Sequence, residues 1–155
     1  MDGQICNGSG LFCAFVLPES SKVIFSAALR AGGQAVGVYD TDTTLIYRKV
    51  FTNIGKAYNP STGVFKAPVS GIYYFTFFYH AGGEEDSKLT LYKNDEAIVG
   101  AYDHDSDNDA TDNGGNAAFL QLQYGDHVYV TLGAHSHVWG CDLLTTFSGS
   151  LVTEL

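Results

Sequence analysis

Hydrophobic and polar residues alternate in short runs along most of the chain, and the first clear run begins at Val23. On an extended backbone Val23, Phe25 and Leu29 fall on one side, while Ser26 and Arg30 fall on the other. Side chains of a strand point alternately to its two faces, so this pattern predicts a half-buried strand.

Similar runs follow, each bounded by Gly, Asn, Asp or Pro, the residues that end strands and form turns. The predicted strands cover residues 35–39, 44–51, 63–66, 72–80, 88–93, 97–102, 117–124, 127–134 and 143–153. About ten short strands at this spacing indicate an all-β sandwich or barrel. Residues 1–20 lack such alternation, so we interpret them as an N-terminal extension before a domain that covers residues 21–155.

The segment 71–79 is the most aromatic of these strands, and its aromatic residues fall on both faces. One face carries Tyr73, Phe75, Phe77 and Tyr79, and the other carries Ile72, Tyr74 and Phe78. One face can fill a sandwich core, but the second face of an antiparallel sheet normally meets water. We therefore expect the second face to pack on a neighbouring chain, the alternative being a cover from within the same chain.

Residues 103–112 hold five aspartates in ten positions between two predicted strands. Such charge density cannot lie in a core, which leaves a solvated loop or a cation site. Calcium prefers oxygen ligands, and Asp103, Asp105 and Asp112 are candidates, with Asp107 and Asp109 between them. An EF-hand is excluded because its invariant glycine and its bidentate glutamate are both missing at the required spacing.

The chain carries 8 Lys and Arg against 17 Asp and Glu, a formal net charge of −9. This charge disfavours nucleic acid and anionic membranes as partners. The densest basic cluster is Arg48-Lys49, and no run of about 18 apolar residues could insert into a bilayer. Phosphate-binding loops, nucleophile elbows and zinc-peptidase motifs are absent, so we do not expect an enzyme.

Three cysteines do not make a disulfide framework in a chain of this length. Cys6, Cys13 and Cys141 leave open which two would pair, and three free thiols are an equal alternative. His135 and His137 would share one face of a strand near Cys141, a spacing compatible with zinc. We favour surface or interface histidines, because one strand end supplies no fourth ligand.

Several aromatic and glycine positions resemble the signature of one known domain. The matching positions are Tyr47, Asn53, Tyr58, Phe65 and Gly71-x-Tyr73-x-Phe75-x-Phe77. From about residue 23 to residue 153, the chain resembles the globular domain of the complement C1q family. The one departure in the signature is Tyr47, where the family usually has phenylalanine.

The resemblance implies a ten-stranded jelly-roll β-sandwich of the type shared with tumour necrosis factor, assembled as a homotrimer. The trimer interface and core would be built on the aromatic strand, by Tyr73, Tyr74, Phe75, Phe77, Phe78 and Tyr79. The family also implies secretion, an extracellular location and ligand recognition through loops. By alignment with members that bind calcium near the trimer axis, Asp103 and Asp112 are the matching positions, which makes calcium the expected cofactor.

No collagen Gly-X-Y repeat is present, and residues 52–63 are similar to stalkless invertebrate members that resemble soluble immune lectins. The predicted function is therefore a secreted pattern-recognition module that binds glycans or microbial surface ligands, with calcium. One alternative is a cytokine-like or synaptic-type ligand for a cell-surface receptor. Another is an acidic calcium-binding protein of extracellular or mineralised matrix.

Overall fold

The structure is a computed structural model that describes residues 4–5, 14–15, 20–82, 85–104 and 110–155. All regular structure in these residues is β-strand, and every strand pair is antiparallel. The strands are β1 Gln4–Ile5, β2 Ala14–Phe15, β3 Ile24–Ala28, β4 Gln34–Gly37, β5 Thr43–Thr44, β6 Lys49–Ile54, β7 Tyr58–Asn59, β8 Val64–Lys66, β9 Gly71–Gly82, β10 Ser87–Lys93, β11 Glu96–Asp103, β12 Thr111–Leu122, β13 His127–Leu132, β14 His137–Gly140 and β15 Thr146–Glu154. These residues contain no helix long and apolar enough to cross a membrane.

Two large sheets organise the described residues. One has five strands in the order β12-β9-β15-β3-β6. The other has the order β11-β10-β13-β8-β7, and β5 joins it beside β13. Their apolar faces contribute to one hydrophobic cluster, as expected for a sandwich. Two short pairs, β14 with β4 and β1 with β2, complete the described strands.

Aromatic rings fill the centre of this cluster, and Phe25 of β3 is their meeting point. Its ring stacks on Tyr58 with centroids 4.7 Å apart and meets the edge of Phe147 at 4.9 Å. Phe65 and Phe75 lie 5.5 and 6.4 Å away. Stacked and edge-to-face aromatic contacts add to the gain from burial, so this group anchors both sheets.

The segment from β6 to β8 shows why several resemblance positions serve the architecture. Asn53 donates from Nδ2 to the Tyr58 carbonyl at 2.8 Å, which closes the turn between β6 and β7. The Tyr58 hydroxyl donates to the Tyr47 carbonyl at 2.8 Å. Gly63 has φ of 77°, and a Cβ there would collide with the Leu45 carbonyl oxygen, so only glycine fits.

Tyr47 is the one position where the resemblance expects phenylalanine, and its hydroxyl is poorly accommodated. The side chain is fully buried, and its hydroxyl has no hydrogen-bond partner within the part of the chain that the structure describes. Burial, followed by the nearby Tyr58, raises the pKa of Tyr47. A buried polar atom without a partner costs about 1–3 kcal/mol.

We therefore expect Tyr47→Phe to increase the free energy of unfolding by about 1–2 kcal/mol, because the substitution removes that hydroxyl and keeps the ring. Urea denaturation measures the change. Tyr58→Phe is the matched control, since it deletes a hydroxyl that is hydrogen-bonded, and it should lower stability by about 1 kcal/mol. A Tyr47→Phe variant less stable than the original chain would contradict this account.

The predicted strand over residues 44–51 is wrong as a single element. The structure has β5 at Thr43–Thr44 and β6 at Lys49–Ile54, with no strand between them. β5 pairs with β13 of one sheet, whereas β6 pairs with β3 of the other. The chain passes between the sheets here, so Leu45 and Tyr47 point inward without continuous pairing.

Other strands in the structure also differ from the predicted ranges, because strand pairing decides where they begin. β12 begins at Thr111, six residues before the predicted start, because its polar and glycine residues pair with the far half of β9. β14 and the short β7 were not predicted, and β15 begins at Thr146 after a turn. Pairing with a long neighbouring strand outweighs the weak β-propensity of Asn and Gly.

Candidate functional site

The strand β9 carries aromatic side chains on two faces with different environments. Tyr73, Phe75 and Phe77 are fully buried in the core, and Tyr79 is nearly so. On the opposite face Tyr74 is half-buried and Phe78 is 54% exposed. The described part of the chain thus covers only one of the two faces.

The uncovered side of the five-stranded sheet forms an apolar surface, which we call the aromatic face. Register places Tyr74 opposite Phe119 of β12, and Ile24 of β3 opposite Ile54 of β6. The Tyr74 and Phe119 rings lie 4.8 Å apart, and Phe119 is 68% exposed. With Phe78, these side chains make an apolar patch of the kind that marks an interaction surface.

Hydroxyl groups run through the centre of the aromatic face. The hydroxyls of Ser26 and Ser148 lie 2.8 Å apart, on neighbouring strands. Small residues keep the surface flat: a Cβ at Gly115 would collide with the backbone and ring at Phe77 and Phe78. The Phe78 ring therefore packs directly against the Gly115 backbone of β12.

The two described ends of the acidic segment lie on β11 and β12, each an edge strand of its sheet. Asp103 ends β11, and Asp112 is the second residue of β12, so Asp112 lies in a strand rather than in a loop. Desolvation, then the charges of Asp103 and Asp112, raise the pKa of the Tyr79 phenol. The two carboxylates therefore lie near one phenol, whereas Asp105 falls outside the described residues.

Asp107 and Asp109 also fall outside the described residues. Within the part of the chain that the structure describes, no group of three or more His, Cys, Asp or Glu side chains could hold a metal ion. Asp103 and Asp112 could supply two of the six to eight oxygen ligands that calcium requires. The set fits calcium in part, and further oxygens would have to complete the shell.

The two histidines near Cys141 do not share a strand face, so that part of the sequence prediction is wrong. His135 lies in a turn with φ of 59°, and β14 begins only at His137. His137 Nε2 lies 2.8 Å from the Gly82 carbonyl oxygen. Because His135 lies in the turn before β14, the two residues do not share the strand alternation on which the zinc spacing depended.

Cys141 is a free cysteine whose Sγ accepts weak hydrogen bonds from the backbone of Leu143 and Leu144, at 3.4 and 3.3 Å. Cys6 and Cys13 lie outside the described residues, and their pairing stays open.

Sequence reasoning identified Tyr74 and Phe78 but missed Ile24, Ile54 and Phe119. Each missed residue sits at an outward position of its strand, and an alternation count would have flagged it as an exposed apolar side chain. Only the register shows that the five lie on one surface.

Comparison with known proteins agrees with this fold. The sequence profile of the C1q domain matches residues 24–152. The chain belongs to the C1q-domain family. It is 30% identical over 139 residues to mouse complement C1q tumor necrosis factor-related protein 3, an alignment that covers 89% of this chain and 54% of that protein. It is 27% identical over 127 residues to the rat related protein 6, covering 77% of this chain and 48% of the relative.

The C1q-domain chain thus spans about half the length of these curated relatives. Among solved structures, it resembles the globular domain of zebrafish complement 1qA protein with a TM-score of 0.68 and 22% identity, over 86% of this chain and 100% of that one. It resembles Eiger TNF from S. frugiperda with a TM-score of 0.68 and 13% identity, over 87% and 95%. These likenesses confirm the predicted jelly-roll fold, while the predicted invertebrate origin is not confirmed.

Proposed function

We propose that this C1q-domain chain is a secreted recognition module that works as a homotrimer and binds glycans or microbial surface ligands. The aromatic face carries the proposal, because a lone chain would leave Phe78, Phe119 and their neighbours in water. Burying one large apolar side chain yields about 1.5–3 kcal/mol. Several such side chains per copy give assembly a strong driving force.

In the proposed trimer, the aromatic face of each chain packs against the two other copies. A trimer is consistent with the C1q and TNF jelly-roll neighbours. A closed ring of three copies would cover the apolar face of each and leave no unpaired patch. The six-stranded sheet and the loops at the two ends of the sandwich would stay accessible to ligands.

Exposed aromatic side chains away from that face support the glycan part of the proposal. Tyr124 lies in the turn before β13, Tyr102 on β11 and Trp139 on β14, and all three are exposed. Their rings offer flat apolar surfaces together with a hydroxyl or N–H group. That combination suits the apolar faces and the hydroxyl groups of sugars.

Light scattering and a glycan array test the two parts of the proposal. The scattering mass should be about three times the 16.7 kDa of one chain, and the trimer should bind a subset of arrayed glycans. A monomer at micromolar concentration would refute the assembly. A trimer that binds no glycan but binds cells after glycosidase treatment would refute the glycan ligand.

The second outcome corresponds to a second candidate function, a ligand for a cell-surface receptor. The similarity to complement C1q tumor necrosis factor-related protein 3 and the structural likeness to Eiger TNF favour it. Fold likeness alone does not decide between a receptor and a glycan, since one scaffold carries many binding functions.

We also propose that calcium binds at Asp103, the last residue of β11, and Asp112, the second residue of β12. After desolvation, the charges of these two carboxylates raise the pKa of the same phenol, that of Tyr79. A ligand that binds only the folded state stabilises it, by about 2.7 kcal/mol at a concentration 100 times the dissociation constant. Millimolar calcium should therefore raise the melting temperature relative to chelator.

Asp112→Asn should abolish most of that calcium response, because it removes one of the two carboxylates. Asp95→Asn, an exposed aspartate in the turn between β10 and β11, is the matched control and should respond like the original chain. Equal melting temperatures in calcium and chelator would refute the calcium site.

A further inference from the structure

A cavity of about 220 Å³ lies where the chain leaves β3 and where β5 connects to β6. Leu29, Val36 and Leu45 contribute apolar lining, and Tyr39 and Thr44 bring hydroxyl groups. Drug-sized ligands occupy pockets of about 300–1,000 Å³, so this cavity matches a smaller ligand of about one ring. It lies outside the aromatic face and the Asp103–Asp112 edge.

Both arginines of the chain line this cavity. Arg30 and Arg48 are the only guanidinium groups among the 155 residues. The pairing of Ala28 with Lys49 brings them together, because β3 and β6 are antiparallel and the chain leaving β3 toward Arg30 passes Arg48. The register of β3 with β6 thus brings Arg30 and Arg48 to the same cavity, although they are eighteen positions apart in the sequence.

Neither arginine makes an ion pair with a carboxylate in the residues that the structure describes, although the chain has a net charge of −9. The neighbouring Lys49 does have such a partner, since its Nζ lies 3.6 Å from Asp142. Within the described residues the two guanidinium groups thus have no carboxylate partner, and both arginines are exposed to solvent. A guanidinium group binds a carboxylate or a sulfate through two parallel N–H···O hydrogen bonds.

The backbone at Arg30 gives an independent observation. Its φ is 49°, in the left-handed region that glycine and asparagine tolerate best. A large side chain held there costs about 1 kcal/mol or more, and such outliers cluster at binding sites. Arg30 is one of four non-glycine residues with positive φ among the described residues, and of the four it alone lines this cavity.

We propose that the cavity binds a single sugar residue that carries an anionic substituent, a carboxylate or a sulfate. Arg30 and Arg48 would hold the anion, the apolar lining would contact the C–H face of the sugar ring, and the hydroxyls of Tyr39 and Thr44 would bond to ring hydroxyls. This inference rests on the proposed glycan recognition and specifies the class of glycan.

Calorimetric titration of the full chain with four small probes tests the proposal. Glucuronate and glucose 6-sulfate supply a sugar with a carboxylate or a sulfate, glucose removes the charge, and acetate removes the sugar. At least one anionic sugar should bind tenfold or more tightly than both glucose and acetate, and the tighter one identifies the anion. Equal affinity for glucose or acetate, or no binding of either anionic sugar at 20 mM, would overturn it.

Substitutions assign the binding to the two arginines. Arg30→Gln and Arg48→Gln should each weaken binding by tenfold or more, while Arg48→Lys should lose less because it keeps the charge. Lys66→Gln on β8 removes one charge from another strand and should leave the affinity unchanged. Wild-type affinity in both glutamine variants, or an equal loss in Lys66→Gln, would overturn the assignment.

These outcomes are distinct from those of the proposed function. A trimer that binds neutral glycans but no anionic sugar would overturn the cavity alone. A monomer that binds glucuronate through Arg30 and Arg48 would overturn the assembly and leave the cavity assignment intact.

Discussion

Phe25→Ala should lower the free energy of unfolding by about 3–5 kcal/mol, the range observed when a buried phenylalanine is truncated. The Phe25 ring is 1% exposed and contacts Tyr58, Phe65, Phe75 and Phe147. Its removal leaves a cavity bounded by rigid rings, which cannot collapse inward as flexible aliphatic side chains do. The loss is comparable to the whole stability of many domains, so poor folding at 37 °C is expected.

Urea denaturation, at one protein concentration for all variants, measures this effect, since assembly makes apparent stability depend on concentration. Phe25→Leu keeps most of the volume and should cost less than about 2 kcal/mol. Tyr124→Ala truncates an aromatic residue that is 74% exposed and should change stability by less than about 0.5 kcal/mol. If Phe25→Ala fell within 1 kcal/mol of the original chain, the aromatic group would not be the anchor of the core.

The sequence alone was sufficient to predict the buried positions of β3 and β9. Burial follows a period of two along β9 and along β3 as far as Ala27, after which Ala28 is also buried, and the inward positions include Phe25, Phe75 and Phe77. Alternation is a local property, since it depends only on which face of an extended backbone each side chain meets. The same reasoning predicted an all-β sandwich, and the resemblance added its jelly-roll topology.

The errors in the strand prediction have non-local causes. Residues 45–48 cross from one sheet to the other, so alternating apolar side chains there point inward without a paired strand. Residues 111–116 become a strand because the far half of β9 offers a partner. Neither the crossing nor the partner strand is visible in a window of ten residues.

The candidate site residues also divide into those predictable from a local pattern or the resemblance and those that only strand register brings together. Tyr74 and Phe78 were predictable because one aromatic strand cannot bury both faces in one sandwich. Asp103 and Asp112 were predicted as a pair from the resemblance, and the structure brings both near Tyr79. Arg30 and Arg48 gave no signal, because only the register of β3 with β6 brings them to one cavity.

Phe119→Asp should convert the proposed trimer into a monomer. Phe119 is the most exposed side chain of the aromatic face, at 68%, and its ring packs against Tyr74 at 4.8 Å. An interface formed by this face would bury the new carboxylate without a partner in every copy, at a cost of several kcal/mol for each ion. The cost recurs in every copy, and each copy also loses the gain of about 1.5–3 kcal/mol from burying the Phe119 ring, so both changes weaken the assembly.

The isolated chain should tolerate Phe119→Asp, because the position faces water when no other copy is present. The circular dichroism spectrum should therefore stay unchanged while the scattering mass falls from about three times 16.7 kDa to one chain.

Tyr124→Asp is the matched control for Phe119→Asp, since it places the same charge on an equally exposed aromatic position away from the aromatic face, and the trimer should persist. A trimer that survives Phe119→Asp but dissociates in Tyr124→Asp would show that the assembly uses the turn before β13. The aromatic face would then need another occupant, because its five apolar side chains would still be exposed to water.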